Sequence, residues 1–142
     1  MIMSLAYFLY VLYSSFSFFV CVFFAAGNDR IIARWTNNLY YPGKVSLIEN
    51  EQIHVLFDDG DRITHNIRDV SAVIPDQEPH QVHMGQHVVA TWKGGEVYYI
   101  GYVSDKDSYN RFKVTFDDND EGFYLAKQLR IFPDHHSALA GL

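Results

Sequence analysis

Between residues 30 and 133 the apolar positions of this chain fall in short runs with a period of two. Ile31, Ala33 and Trp35 share one face of an expected strand over residues 30–35, while Ile32 and Arg34 share the other. Thr36-Asn37-Asn38 follows as a turn, because Asn tolerates the left-handed region and bonds its own backbone. A second strand is expected over residues 39–47, with Gly43 marking a bend or bulge inside it. Glu49-Asn50-Glu51 turns the chain into a third strand over residues 52–57. Asp58-Asp59-Gly60-Asp61 turns it again into a fourth over residues 62–66, with Asp59-Gly60 a favoured hairpin pair. A short fifth strand falls at residues 72–74. Five short strands joined by tight turns predict a small barrel rather than a sandwich.

The pattern then returns. Trp35 matches Trp92, Tyr41 matches Tyr99, Gly43 matches Gly101, Val45 matches Val103 and Phe57 matches Phe116, and Asp58-Asp59 matches Asp117-Asp118. Matched positions lie about 57 to 59 residues apart, with the extra residues confined to turns, where insertions are tolerated. The chain reads as an all-β tandem duplication: one barrel over residues 28–75, a polar linker over 76–86, and a second barrel over 87–133. A tail over 134–142 follows. Each unit is near the lower size limit for an independent core and needs a compact closed sheet or a partner unit; the linker is short enough that the two barrels are expected to touch.

Before them, residues 1–27 form an apolar segment with no charged side chain between Ile2 and Ala26. It is long enough to span a bilayer, and Ala25-Ala26-Gly27 suits a signal cleavage site, although no Lys or Arg precedes the run. Membrane contact is expected only if this segment is a genuine anchor. Translated T-rich non-coding DNA would give the same Phe, Tyr, Ile, Leu and Ser bias, and a buried helix is a third reading.

Composition narrows the function. The 142 residues carry a net charge of -6, which favours basic partners such as Lys- and Arg-rich tails over nucleic acid. One cysteine, Cys21, excludes an intrachain disulfide and a cysteine-built zinc site. His80, His83 and His87 have loosely metal-like spacing without a companion cysteine, and a hairpin turn explains Asp58 to Asp61 better than a metal does. No phosphate loop, nucleophile elbow or duplicated Ser/His/Asp set is present. We therefore expect no enzyme, no cofactor, no metal and no small-molecule substrate.

Each unit instead sets three rings beside a carboxylate at strand ends: Trp35, Tyr41, Phe57 and Asp59 in the first, and Trp92, Tyr99, Phe116 and Asp118 in the second. In a five-stranded barrel those places converge on one rim. Ring faces with an acid suit an alkylated cation, which is poorly hydrated. The plainer reading is that large rings at strand ends plug the barrel. Tyr40 and Tyr98 point opposite to their Tyr neighbours and are expected in packing or inter-barrel contacts.

The segments Ala33-Arg34-Trp35, Tyr41-Pro42-Gly43-Lys44-Val45 and Val55-Leu56-Phe57-Asp58-Asp59-Gly60 resemble the Tudor domain. The pattern is most similar to the tandem Tudor methyl-lysine readers of the DNA-damage response, and the resemblance covers residues 29–133 in two copies. It implies two SH3-like barrels and a cage of Trp35, Tyr41, Phe57 and Asp59 for methyl-lysine, or methyl-arginine as in other members. Where the family often has a further aromatic, this chain has Asp61, which leaves the cage open on that side. The second copy has Asp120 there and Asn119 in place of the turn glycine. Tandem members often use one cage, so the first barrel is expected to dominate. The resemblance implies methylated protein tails, histone tails foremost, as partners and the nucleus as the location. A signal at residues 1–27 would imply the secretory pathway. A methylation-independent interaction scaffold is the alternative function, with nucleic-acid binding less favoured still.

Overall fold

A computed structural model describes residues 30–133 in full and the backbone of residues 6–12 and 19–25. Ala26 and Gly27 of the expected cleavage site, and the tail over 134–142, lie outside the described residues. In the apolar segment, β1 (Ala6–Leu12) and β2 (Phe19–Ala25) pair antiparallel, from Ala6 opposite Ala25 to Leu12 opposite Phe19. Strands therefore stand where the buried-helix reading asks for a helix. Among the described residues no helix is long and apolar enough to cross a membrane.

The first barrel comprises β3 (Arg30–Arg34), β4 (Tyr40–Glu49), β5 (Gln52–Phe57), β6 (Arg62–Asn66) and β7 (Val73–Pro75). The second comprises β8 (His87–Thr91), β9 (Tyr98–Lys106), β10 (Phe112–Phe116), β11 (Glu121–Tyr124) and β12 (Arg130–Ile131), with a 3-10 turn at Ala126–Gln128. All ladders are antiparallel and the neighbour order is the same in each: β7-β3-β4-β5-β6 and β12-β8-β9-β10-β11. The inward face supplies matched cores. Ile31, Ala33, Val45, Val55 and Phe57 fill the first, and Val88, Ala90, Val103, Val114 and Phe116 fill the second.

Gly43 does not form the expected bulge. It pairs in register between Ile31 and Phe57, and the β4–β5 register slips between Val45 and Leu47 instead. Gly43 is needed for close approach: a Cβ there would lie 2.6 Å from the Leu56 carbonyl oxygen. Gly101 stands in the same relation to the Thr115 oxygen, at 2.7 Å. The slip skips Ser46, whose hydroxyl donates to the His54 carbonyl at 3.0 Å. Its counterpart Ser104 is skipped in the second barrel and donates to the Lys113 carbonyl at 3.4 Å.

The middle of the outward face of β3 and of β8 is buried too. Ile32 and Val89, both 0% exposed, form a third cluster with Tyr40 and Ile74, against which Tyr98, Ile100 and Phe132 pack. Tyr40 pairs with Tyr98 across β4 and β9, so backbone bonding joins the two barrels in one sheet. The Tyr40 hydroxyl donates to the Ser71 carbonyl at 2.8 Å, and Arg130 Nε donates to Asp76 Oδ1 at 2.7 Å. Burying an Ile or Val side chain is worth roughly 1.5–3 kcal/mol, enough for several such residues to hold two small barrels together. Burial also raises the pKa of the Tyr40 and Tyr98 phenols above the ordinary value.

Candidate functional site

The first hollow is built by two turns. At the end of β3 the Trp35 N–H donates to the Leu39 carbonyl at 2.8 Å, closing a three-residue loop whose last member, Asn38, has φ 64. Asn37 bonds twice: its Oδ1 accepts the Leu39 N–H at 3.0 Å, and its Nδ2 donates to the Tyr41 hydroxyl at 2.9 Å. The second bond fixes the position of the Tyr41 ring. Between β5 and β6 the Phe57 N–H donates to the Asp61 carbonyl at 2.9 Å, and Gly60 adopts φ 95. The loop thus has three residues rather than the two of a simple Asp-Gly hairpin. Asp59 Oδ1 accepts the Asp61 N–H at 2.9 Å, which holds the carboxylate in place.

These turns bring Trp35, Tyr41, Phe57, Asp59 and Asp61 around one hollow of about 180 Å³, with Asn37 as a further wall. Phe57 belongs to the barrel core at 5% exposure. Trp35 and Tyr41 are partly buried, with centroids 5.4 and 6.3 Å from Phe57 and planes at 88° and 86° to it. The rings pack the barrel and line the hollow at the same time, so the plug and the binding surface are not alternatives here.

In the second barrel Trp92 and Tyr99 stand 5.7 and 6.5 Å from Phe116, at 82° and 81°. The turn is the same: Asn119 takes φ 70, the Phe116 N–H donates to the Asp120 carbonyl at 2.9 Å, and Asp118 Oδ1 accepts the Asp120 N–H at 3.0 Å. The hollow is larger, about 280 Å³, and Asp118 lines it together with Asp117 and Asp120. Asn38 and Leu39 of the first barrel also line it. Sequence reasoning missed that contribution because comparing the two repeats says nothing about how they dock.

The two sites differ in charge. Arg30 grips Asp58 through both terminal guanidinium nitrogens, at 2.6 and 2.5 Å. This hydrogen bonding holds the Asp58 carboxyl below its ordinary value. At the matched place in the second barrel His87 stands where Arg30 would be. No group of three His, Cys, Asp or Glu side chains suited to a metal ion occurs among the described residues.

No protein-family model matches the sequence, and no curated protein does. Solved structures do match. A crystal structure of Arabidopsis thaliana AGDP1 AGD34 superposes with a TM-score of 0.51 at 12% identity, over 77% of this chain and 83% of that one. The fold is a tandem of Tudor-like barrels. The tandem Agenet domain 3-4 of ADCP1 gives a TM-score of 0.48 at 13% identity, over 77% and 81% of the two chains. At such identities the likeness speaks to the Tudor-like fold alone.

Proposed function

We propose that the chain is a non-enzymatic reader that holds the methylated ammonium of a lysine in a protein tail within the first hollow. The observation that carries this reading is the convergence of Trp35, Tyr41 and Phe57 with Asp59 and Asp61 on one opening. Methylation strips an ammonium of much of its hydration while leaving its charge, so ring faces and a nearby carboxylate favour it over bulk water. A methylated arginine offers the same combination. Affinity is modest, because one caged cation and a few backbone contacts must offset the ordering of a flexible tail. The acidic balance of -6 suits Lys- and Arg-rich tails, of which histone tails are the leading case, and the nucleus is the matching location.

Two substitutions test the reading. Trp35→Ala and Asp59→Asn should each weaken binding of a methyl-lysine peptide by about tenfold or more, with the circular dichroism of the strands retained. Unchanged affinity in both folded variants would overturn it.

One observation favours a second reading. Among the described residues β6 pairs only with β5 and β11 only with β10, so each barrel presents an edge that an extended peptide could join. Such a scaffold would bind through main-chain bonds and ignore methylation. Equal affinity for methylated and unmethylated peptides selects it.

A further inference from the structure

We propose that the free edge of β11 docks an extended peptide, which joins the second barrel as a further strand and sends an acidic side chain toward Lys93. This deepens the edge-strand reading at one of the two edges and is independent of the methyl-cation hollow.

The ladder decides which main-chain groups are free. At the β10–β11 turn the Phe116 N–H donates to the Asp120 carbonyl, and the register then runs without a slip from Thr115 opposite Glu121 to Phe112 opposite Tyr124. Bonded pairs alternate along an antiparallel ladder, so Gly122 and Tyr124 bond to β10 while the N–H and C=O of Glu121 and Phe123 face away from it. Among the described residues β11 pairs with β10 alone. An antiparallel peptide would exchange two bonds with each of those two residues.

Beside this edge lies a groove of about 330 Å³, walled on its other side by Thr91, Lys93 and Gly94. The Tyr124 hydroxyl donates to the Thr91 carbonyl at 3.0 Å, so a side chain rather than a strand ladder links β11 to the end of β8. Gly122 leaves room for that ring, because a Cβ there would lie 2.7 Å from Tyr124 Cε2. The first barrel treats the matched place differently. His65, in the position of Tyr124, sets its Nε2 2.8 Å from the Arg34 carbonyl oxygen. Arg34, in the position of Thr91, extends its guanidinium to Asp69 and to the Ser71 hydroxyl. The short Thr91 side chain bridges nothing there, which is why β11 is chosen over β6.

Charge selects the peptide. Lys93 holds its ammonium 5.3 Å from the centre of the Trp92 ring and forms no ion pair among the described residues. The one acid lining the groove, Glu121, is already paired with Lys113 at 2.8 Å. Gln128 accepts the Leu125 N–H through Oε1 at 2.8 Å, which leaves its Nε2 as a donor. In the added strand, the residue opposite Gly122 shares the inward face with the Tyr124 ring and enters the groove. A carboxylate at that position meets Lys93. The residue opposite Phe123 shares the outer face, where an apolar side chain would cover a ring that is 49% exposed.

The test uses the full chain and a capped Ser-Thr-Val-Glu-Thr-Thr-Ser peptide, with Val set opposite Phe123 and Glu opposite Gly122. Peptides with Gln or Lys in place of that Glu, and one with N-methyl Val, serve as controls. Binding is followed by NMR at the Glu121 and Phe123 amides, which should shift and exchange more slowly with solvent. The Glu peptide should bind about threefold more tightly than the Gln peptide, with the Lys peptide weaker still. N-methylation removes one main-chain donor and should weaken binding by about fivefold or more. Lys93→Gln alters an exposed side chain with no ion pair to lose, and should abolish the preference for Glu over Gln while the amide shifts remain. If that variant does not fold, the four peptides decide on the wild-type chain. Trp35→Ala should change none of these results, so failure here and failure of the methyl-cation hollow are seen separately. No binding, shifts that spare Glu121 and Phe123, equal binding of the N-methyl peptide, or no preference for Glu overturns the proposal.

Discussion

Arg30 and Asp58 form a bidentate pair with each side chain 48% exposed. Exposure on that scale limits its worth to about 0.2–1 kcal/mol. Its effect on titration is easier to see. The hydrogen bonds to Arg30 lower the Asp58 pKa in the folded state. A depressed carboxylate contributes stability above its unfolded pKa and loses that contribution as pH falls through the folded value. Carboxyl NMR should therefore find Asp58 titrating below an ordinary aspartate, and Arg30→Ala should return it to the ordinary range. An ordinary value in the wild type would contradict the pairing. The repeat makes Asp58 and Asp117 look equivalent, and in sequence they are. Their surroundings differ because His87 replaces Arg30. The rings and Asp59 were legible because each sits at a strand end next to a turn that the sequence marks. Asn38 and Leu39 were not, because they act on the other barrel.

At the scale of the element, period-two alternation and turn residues located the strands well. The strands expected over 52–57 and 62–66 of the first barrel have the bounds of β5 and β6. The bulge falls at Ser46 and not at Gly43, since a glycine in a strand signals a bend, a bulge or a close approach and sequence does not separate them. The structure requires the close approach. A Cβ at Gly43 would also lie 3.0 Å from Phe57 Cα, and neither this atom nor the Leu56 oxygen can move without shifting a strand. Gly43→Ala should cost roughly 1–3 kcal/mol in urea unfolding, as overpacking does. Ser46→Ala, at the actual slip in register, removes one hydroxyl bond and should cost about 0.5–1.5 kcal/mol. A neutral Gly43→Ala would show that β4 and β5 are farther apart than described.

For the whole molecule, the seam is what makes two small units one body. Alternation placed Ile32 on the face opposite the barrel core, where a lone barrel would expose it. Duplication buries it against the partner barrel, and no single-repeat reading shows that. Ile32→Ala should cost about 2–5 kcal/mol and destabilise both barrels together. With one Trp per barrel, Trp35→Phe and Trp92→Phe each leave a fluorescent reporter in the other. Their urea transitions should coincide with those followed by circular dichroism of the same variant, as in a two-state unit. Fluorescence and circular dichroism midpoints that separate would show barrels that unfold independently.

The reader proposal stands on one titration of the chain. Basic peptides carrying unmodified, mono-, di- or trimethylated lysine are added while the Trp35 indole N–H and the amides of Tyr41 and Asp59 are followed by NMR. The account predicts shifts at these three residues that grow with methylation and are weak for the unmodified peptide. Equal shifts for all four peptides, or shifts that spare these residues, would contradict it.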